Sequence, residues 1–222
     1  MCIRDSPETV TKLVLAADNI AAIYHRTRNV SIPGSPVPGL SQIVMCDLGT
    51  PRADGTQPYG RLRALLLARG VPAAHMRFAH DAKSAKARQA MFSSCRSGHL
   101  PIIFGSTPLI GESANLQTRC TALHQLDLTW TPAAFQQRVG RAIRFGNLAP
   151  GGVDIFTYVT ARTCDGFIAG LIRRKSESFA ALFDPTSQIR EMVDVGRAEL
   201  SYAELQAAAS GNPLLLRRNE IA

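Results

Sequence analysis

No apolar run in the chain is long enough to span a bilayer, and the N-terminus lacks the basic flank, long apolar stretch and small-residue cleavage site of a secretory leader. These absences argue against membrane insertion and export, and a cytoplasmic address is the expectation. Cysteine is sparse: Cys2, Cys46, Cys95, Cys120 and Cys164 are odd in number, scattered and never spaced as C-x-x-C, so they read as reduced thiols. His25, His75, His80, His99 and His124 share no ligand spacing with them, and no structural zinc or other metal site is expected. Lysine is scarce too, with 4 Lys against 21 Arg inside a net charge of +8. Guanidinium forks grip paired phosphate oxygens that an ammonium meets only as a point charge. A GC-rich genome, which favours arginine codons, produces the same bias, and composition does not separate the two.

What is present is a globular composition. Hydrophobic residues make up 45% and charged residues 19% of 222 residues, enough for one core of ordinary size and too little for two large domains. The opening MCIRDSP fits no element and looks like a translated sequencing adapter, which would put the protein's own start further upstream. From Glu8 to Arg28 the apolar positions Val10, Leu13, Val14, Ala17, Ile20, Ala21 and Tyr24 follow a helical period. SIPGSPVPGL then breaks the helix with prolines and glycines.

Strands and helices alternate after that break. SQIVMCDLGT, AAHMRFAH, LPIIFGST, CTALHQLDL and GVDIFTYVT each contain a short apolar strand. Between them lie helical segments: YGRLRALLLARG with Leu62, Leu65 and Leu66 on one face, AKSAKARQAMFSSCRSG, and TPAAFQQRVGRAIRFG. The alternation predicts an α/β fold, a parallel sheet with helices on both faces, followed by a C-terminal helical extension. In that extension Ile172, Phe179, Leu182 and Phe183 are expected to pack, and Arg173, Arg174 and Lys175 form a solvated or weakly DNA-facing run.

In an open parallel sheet, ligands sit beyond the C-terminal ends of the strands. Three loops there draw notice. DLGTP places Asp47 at a strand end, a weak signal that often marks only a turn. GSTPLIGESANLQ offers Ser106 and Thr107 as donors to phosphate oxygens, and Gly111 permits close backbone approach; an ordinary polar loop has the same composition.

The third is TWTPAAFQQRVGRAIRFGN, with Thr131 as N-cap and Pro132 in the first helical position. At about 100° per residue, Phe135, Val139, Ala142 and Ile143 fall on one side, and Gln137, Gly140, Arg141 and Arg144 on the other. The apolar side is expected to dock on the sheet, and Arg138 lies on the flank, available for packing or DNA. No Asp or Glu occurs from Thr129 through Asn147, so the charge has no i,i+4 partners and an arriving anion would neutralise it. A passive basic face for nucleic-acid backbone remains the alternative. Trp130 reads as an anchor of the helix start.

These motifs resemble the second RecA-like lobe of superfamily 2 helicases, with most likeness to Snf-type DNA translocases. QRVGRAIR resembles motif VI, Q-x-x-G/D-R-x-x-R. The resemblance implies arginine fingers at Arg141 and Arg144 and a nucleotide-side hydrogen bond from Gln137. STPLIGESANL resembles motif V, S-T-x-x-x-G-x-x-x-N-L, implying DNA-backbone contact by Ser106 and Thr107, with Gly111 and Asn115 toward the nucleotide. Ser113 stands where the family usually has a second glycine. DLTWTP resembles the D-x-x-W-x-P lead into motif VI.

KLVLAADNIAAIY, CDLGTP, HDAK, VDIFTYVTARTCDGFI and SYAELQAAASGNPLL resemble, in order, segments of phage and mobile-element proteins joining such a helicase to an N6-adenine DNA methylase. The implied organisation is a leader, helix and linker over 1–39, a helicase C-terminal RecA-like lobe over 40–161 and a helical extension over 162–222.

The sequence has no G-x-x-x-x-G-K-[ST] and no D-E-x-H box. The resemblance therefore implies that ATP, with its magnesium, is held by the first RecA-like lobe of the same polypeptide, that DNA is the other partner, and that this chain is inactive alone. No N-P-P-Y methylase signature occurs either. The competing expectation is a non-catalytic nucleic-acid-binding module.

Overall fold

The computed structural model describes residues 11–48, 57–111, 114–160 and parts of 163–175. The chain divides into two units, Met1–Asp127 with Gln137–Tyr158, and Leu128–Gln136 with Val159–Ala222. In the first unit five strands form one parallel sheet in the order β2-β3-β1-β4-β5: β1 is Ser41–Met45, β2 Met76–Phe78, β3 Ile102–Gly105, β4 Cys120–Gln125 and β5 Asp154–Thr157. The expected parallel α/β sheet is therefore what forms. β1, β3 and β4 are buried along their whole length, as strands covered on both faces must be.

Side-chain alternation along the strands feeds two cores. On one face Val44, Ile102 and Phe104 pack with Ala16, Ala17, Ile20 and Tyr24 of α1 (Lys12–Thr27) and with Tyr59, Leu62 and Leu66 of α2 (Pro58–Ala68). On the other, Ile43, Met45, Ile103 and Leu123 pack with Phe92 and Cys95 of α3 (Ala85–Ser97) and Ile110 of α4 (Thr107–Gly111). Ala142, which ends α5 (Pro132–Ala142), joins this second core. α1, the helix expected over Glu8 to Arg28 and set outside the lobe, shares its core with the sheet. Its N-terminus is capped by Thr11, whose hydroxyl accepts from the Val14 amide at 3.3 Å.

The Pro/Gly linker is held by a buried arginine. Arg119 donates from Nε to the Arg96 carbonyl at 2.8 Å, from Nη1 to the carbonyls of Val37 and Gly39 at 2.8 and 3.0 Å, and from Nη2 to Ser35 Oγ. Arg96 lies in the last turn of α3, where orphan carbonyls favour a cation. Gly98 ends that helix at φ +93, and an added Cβ would stand 2.5 Å from Arg119 Nη1.

One polar chain crosses the first core. Asn19 Nδ2 donates to Tyr158 Oη, and Tyr158 Oη to His124 Nδ1 at 2.9 Å. Gln42 Nε2 donates to the Ile20 carbonyl, so its Oε1 faces His124 Nε2 at 2.9 Å and that nitrogen carries the hydrogen. Burial lowers the His124 pKa to about 3, which keeps the ring neutral. Cys46, Cys95 and Cys120 are buried free thiols pushed up to about 12, first by burial. Cys2 and Cys164 lie outside the described residues.

In the second unit, Thr131 caps α5 as expected: its hydroxyl accepts from the Ala134 amide at 3.2 Å. Trp130 is 54% exposed, so it is not the anchor expected of it. Residues 165–175 are helical where described. Of the expected extension, Phe179, Leu182, Phe183, Arg174 and the segment SYAELQAAAS lie outside the described residues. No described helix is long and apolar enough to cross a membrane.

Candidate functional site

Three neighbouring strands, β3, β1 and β4, end side by side and hand their chains to three loops. The connection from β3 to β4 passes over β1, so this is the switch point of the sheet, where ligand crevices open. Each loop contributes one residue: Asp47 follows β1, Thr107 follows β3 and Asp127 follows β4. Tyr59, fully buried on α2, fixes the approach by accepting from the Cys46 amide at 3.1 Å and donating to the Cys46 carbonyl.

Arg138 joins these loops to α5. Its Nη1 donates to Asp127 Oδ1 at 3.0 Å and to the Asp127 carbonyl at 2.9 Å, its Nη2 to Asp47 Oδ2 at 2.6 Å, and its Nε to Thr107 Oγ1 at 2.8 Å. The Arg138 side chain is 1% exposed, that of Asp127 4% and that of Asp47 38%. Asp127 Oδ2 also accepts from the amides of Asp47 and Leu48, at 2.5 and 2.9 Å. A buried guanidinium is tolerable because carboxylates and hydrogen bonds surround it on the side that water has lost.

This placement corrects two expectations. Arg138 was expected on the flank, yet it points into the protein. It stands four residues before Ala142 on one helical stripe; Ala142 docks in the second core and Val139 packs against it, as expected, so the inward face holds Arg138 beside them and leaves Ile143 out. Ile143, expected to dock, is 53% exposed, and Phe145 is 99% exposed. Thr107, expected to donate to phosphate, spends its donors inside the cluster. Its amide donates to Asp47 Oδ1 at 2.6 Å and its hydroxyl to Asp47 Oδ2 at 2.9 Å, so both donors are taken. Partial burial pushes the Asp47 carboxyl up, but the Thr107 amide, the Arg138 guanidinium and the Thr107 hydroxyl outweigh it and hold the group below the usual carboxylate range.

The remaining expected residues lie around this cluster. Ser106 is half-buried immediately before Thr107, and Gly111 closes α4. Asn115 is exposed and accepts from Arg144 Nη1 at 3.2 Å, so those two are brought together. Gln137 is exposed on α5. Arg141 is half-buried, and its Nε is shut from solvent with no acceptor among the described residues. Such an orphan donor costs about 1–3 kcal/mol, and the Nε atoms of Arg63 and Arg88 share this state. Ser113 lies outside the described residues. Sequence reasoning had Asp127 only as the first residue of the D-x-x-W-x-P lead and discounted Asp47, giving neither a place beside Arg138; the signal was that both acids close apolar strands on the ligand edge.

Residues 38–146 match the family described as helicase conserved C-terminal domain. Among solved structures, the C-terminal part of the Fun30 ATPase domain is similar over 93% of this chain and 54% of that one, with 14% identity and a TM-score of 0.55. The DUF1998 helicase MrfA bound to DNA is similar over 80% of this chain and 22% of its own, at 11% identity and a TM-score of 0.52. The C-terminal domain of the DEAD-box protein Dbp5 covers 78% of this chain and 83% of its own, at 17% identity and a TM-score of 0.50. At such identities the likeness is one of fold, the RecA-like α/β fold of helicase C-terminal lobes. The chain spans about half of the Fun30 chain and about a fifth of MrfA. No curated protein matches the sequence.

Proposed function

Taking residues 38–146 as a helicase conserved C-terminal domain, we propose that the chain is the second motor lobe of an ATP-dependent DNA helicase or translocase of the Snf type. The observation that carries this reading is Arg141. It lies three residues after Arg138, which ties the same helix to Asp127, and its half-buried side chain leaves Nε without an acceptor among the described residues. In this role Arg141 and Arg144 reach an ATP whose phosphates and magnesium are gripped by the first RecA-like lobe, and they stabilise the charge that develops during phosphoryl transfer. Gln137, Gly111 and Asn115 line the nucleotide side. Ser106 and the loop at Thr107 face the DNA backbone, the ligand that MrfA carries in its solved structure. The methylase-linked, mobile-element setting and the cytoplasmic address complete the proposal, on the strength of the ordered segment likeness.

The test is ATP hydrolysis by the protein extended upstream to include a first lobe. Arg141→Ala is expected to lower turnover by about 10³ to 10⁵, the usual worth of an arginine finger, while the protein stays folded. Undiminished DNA-stimulated turnover in that variant sinks the assignment.

A further inference from the structure

Asp47 and Asp127 both hold Arg138, but they do so differently. Asp127 is enclosed, and it takes Arg138 through its carboxylate and its carbonyl together. That contact anchors α5 whatever else happens. Asp47 stands at the solvent edge and divides its carboxylate between Arg138 Nη2 and both donors of Thr107. The Thr107 oxygen in turn accepts from Arg138 Nε, closing a three-residue ring.

A phosphate oxygen accepts hydrogen bonds and donates none at neutral pH. For Thr107 to meet a DNA phosphate, its amide or hydroxyl must leave Asp47. Asp47 then loses at least one of its three donors and depends more on Arg138, which is the residue three positions before Arg141 on α5. Resting on the motor-lobe reading, we infer that Asp47 is a positioning residue that relays the arrival of DNA at Thr107 to the helix carrying the arginine fingers. It touches neither nucleotide nor DNA itself; it sets which partner the Thr107 donors have and thereby what Arg138 feels.

The extended protein tests this through its ATPase with and without duplex DNA and through DNA affinity. In Asp47→Ala, Arg138 keeps Asp127, so turnover without DNA is expected to be unchanged. The DNA-stimulated increment is expected to fall about tenfold, within the usual range for coupled sites. DNA affinity is expected to hold or rise, because the Thr107 donors are now free. Asp47→Asn, which retains one acceptor for the Thr107 amide, is expected to recover part of the stimulation. Normal stimulation in Asp47→Ala overturns the inference. So does an equal loss of basal and stimulated turnover with weaker DNA binding, which is the pattern of plain structural damage. A wild-type extended protein whose ATPase ignores DNA sinks the motor-lobe reading itself, and it does so without any substitution.

Discussion

Arg138 is a nearly fully buried cation paired with two carboxylates. Replacing it with methionine keeps the bulk of the side chain and leaves two carboxylates, one of them almost fully enclosed, facing each other without a cation. Breaking a buried pair from one side typically costs about 3–5 kcal/mol, and Arg138→Met is expected to lose that much in urea unfolding. A loss under about 1 kcal/mol would show that the cluster is wetter than its geometry. His124 sets the acid limit. Its folded pKa of about 3 lies below the ordinary 6.5, so its contribution is complete above pH 6.5 and is lost as pH falls toward 3. Between pH 7 and pH 5 this one ring should cost roughly 2 kcal/mol. The wild type should therefore lose that much more over the interval than His124→Gln, measured by urea midpoints. Asp47 has a lowered pKa as well, so its share persists down to about pH 3.8 and disappears only below it.

At the scale of elements, α3 and its stop offer a sharp test. Gly98 closes the helix in a left-handed conformation, and a methyl group there would stand against the Arg119 guanidinium. Arg119 in turn holds the linker through Val37 and Gly39. Gly98→Ala is thus expected to cost more than the roughly 1–2 kcal/mol of left-handed strain, since Arg119 must also move. Denaturant midpoints check this, and a cost below 1 kcal/mol would mean that Arg119 is not tightly seated. Most elements were legible in advance because their causes are local. Leu62, Leu65 and Leu66 mark α2 by period, Gly70 and Gly98 end their helices with positive φ, and the strands read as short apolar runs. α4 was missed because five residues are too few to show a period. The inward face of α5 was misphased for a different reason. Arg138 is buried by partners 11, 31 and 91 residues away, and no helical wheel can see a carboxylate that the fold delivers from another strand. Asp47 and Asp127 could be named from sequence as a strand end and a motif residue, while their shared hold on Arg138 was visible only once β1, β3 and β4 stood side by side.

For the molecule as a whole, the open question is whether its arginines form one electrostatic surface or divide by task. A net charge of +8 attracts polyanions, and for a chain bound to DNA each phosphate neutralised adds about 0.9 to the slope of log K against log salt. If the chain were a passive basic module, Arg141 and Arg144 would be phosphate contacts like any others. Replacing both with alanine would then reduce the slope by roughly 1.8. If they are kept for a nucleotide, they lie outside the DNA footprint, and the slope should stay within about half a unit of the wild-type value even where a lower net charge weakens binding slightly. The motor-lobe reading expects the second outcome, with Arg144 hydrogen-bonded to Asn115 in place of DNA. Titration of a labelled duplex with this chain at several salt concentrations makes the measurement without the first lobe. A slope reduced by nearly two units would return the helix to the role of a basic face, whatever its resemblance to a catalytic one.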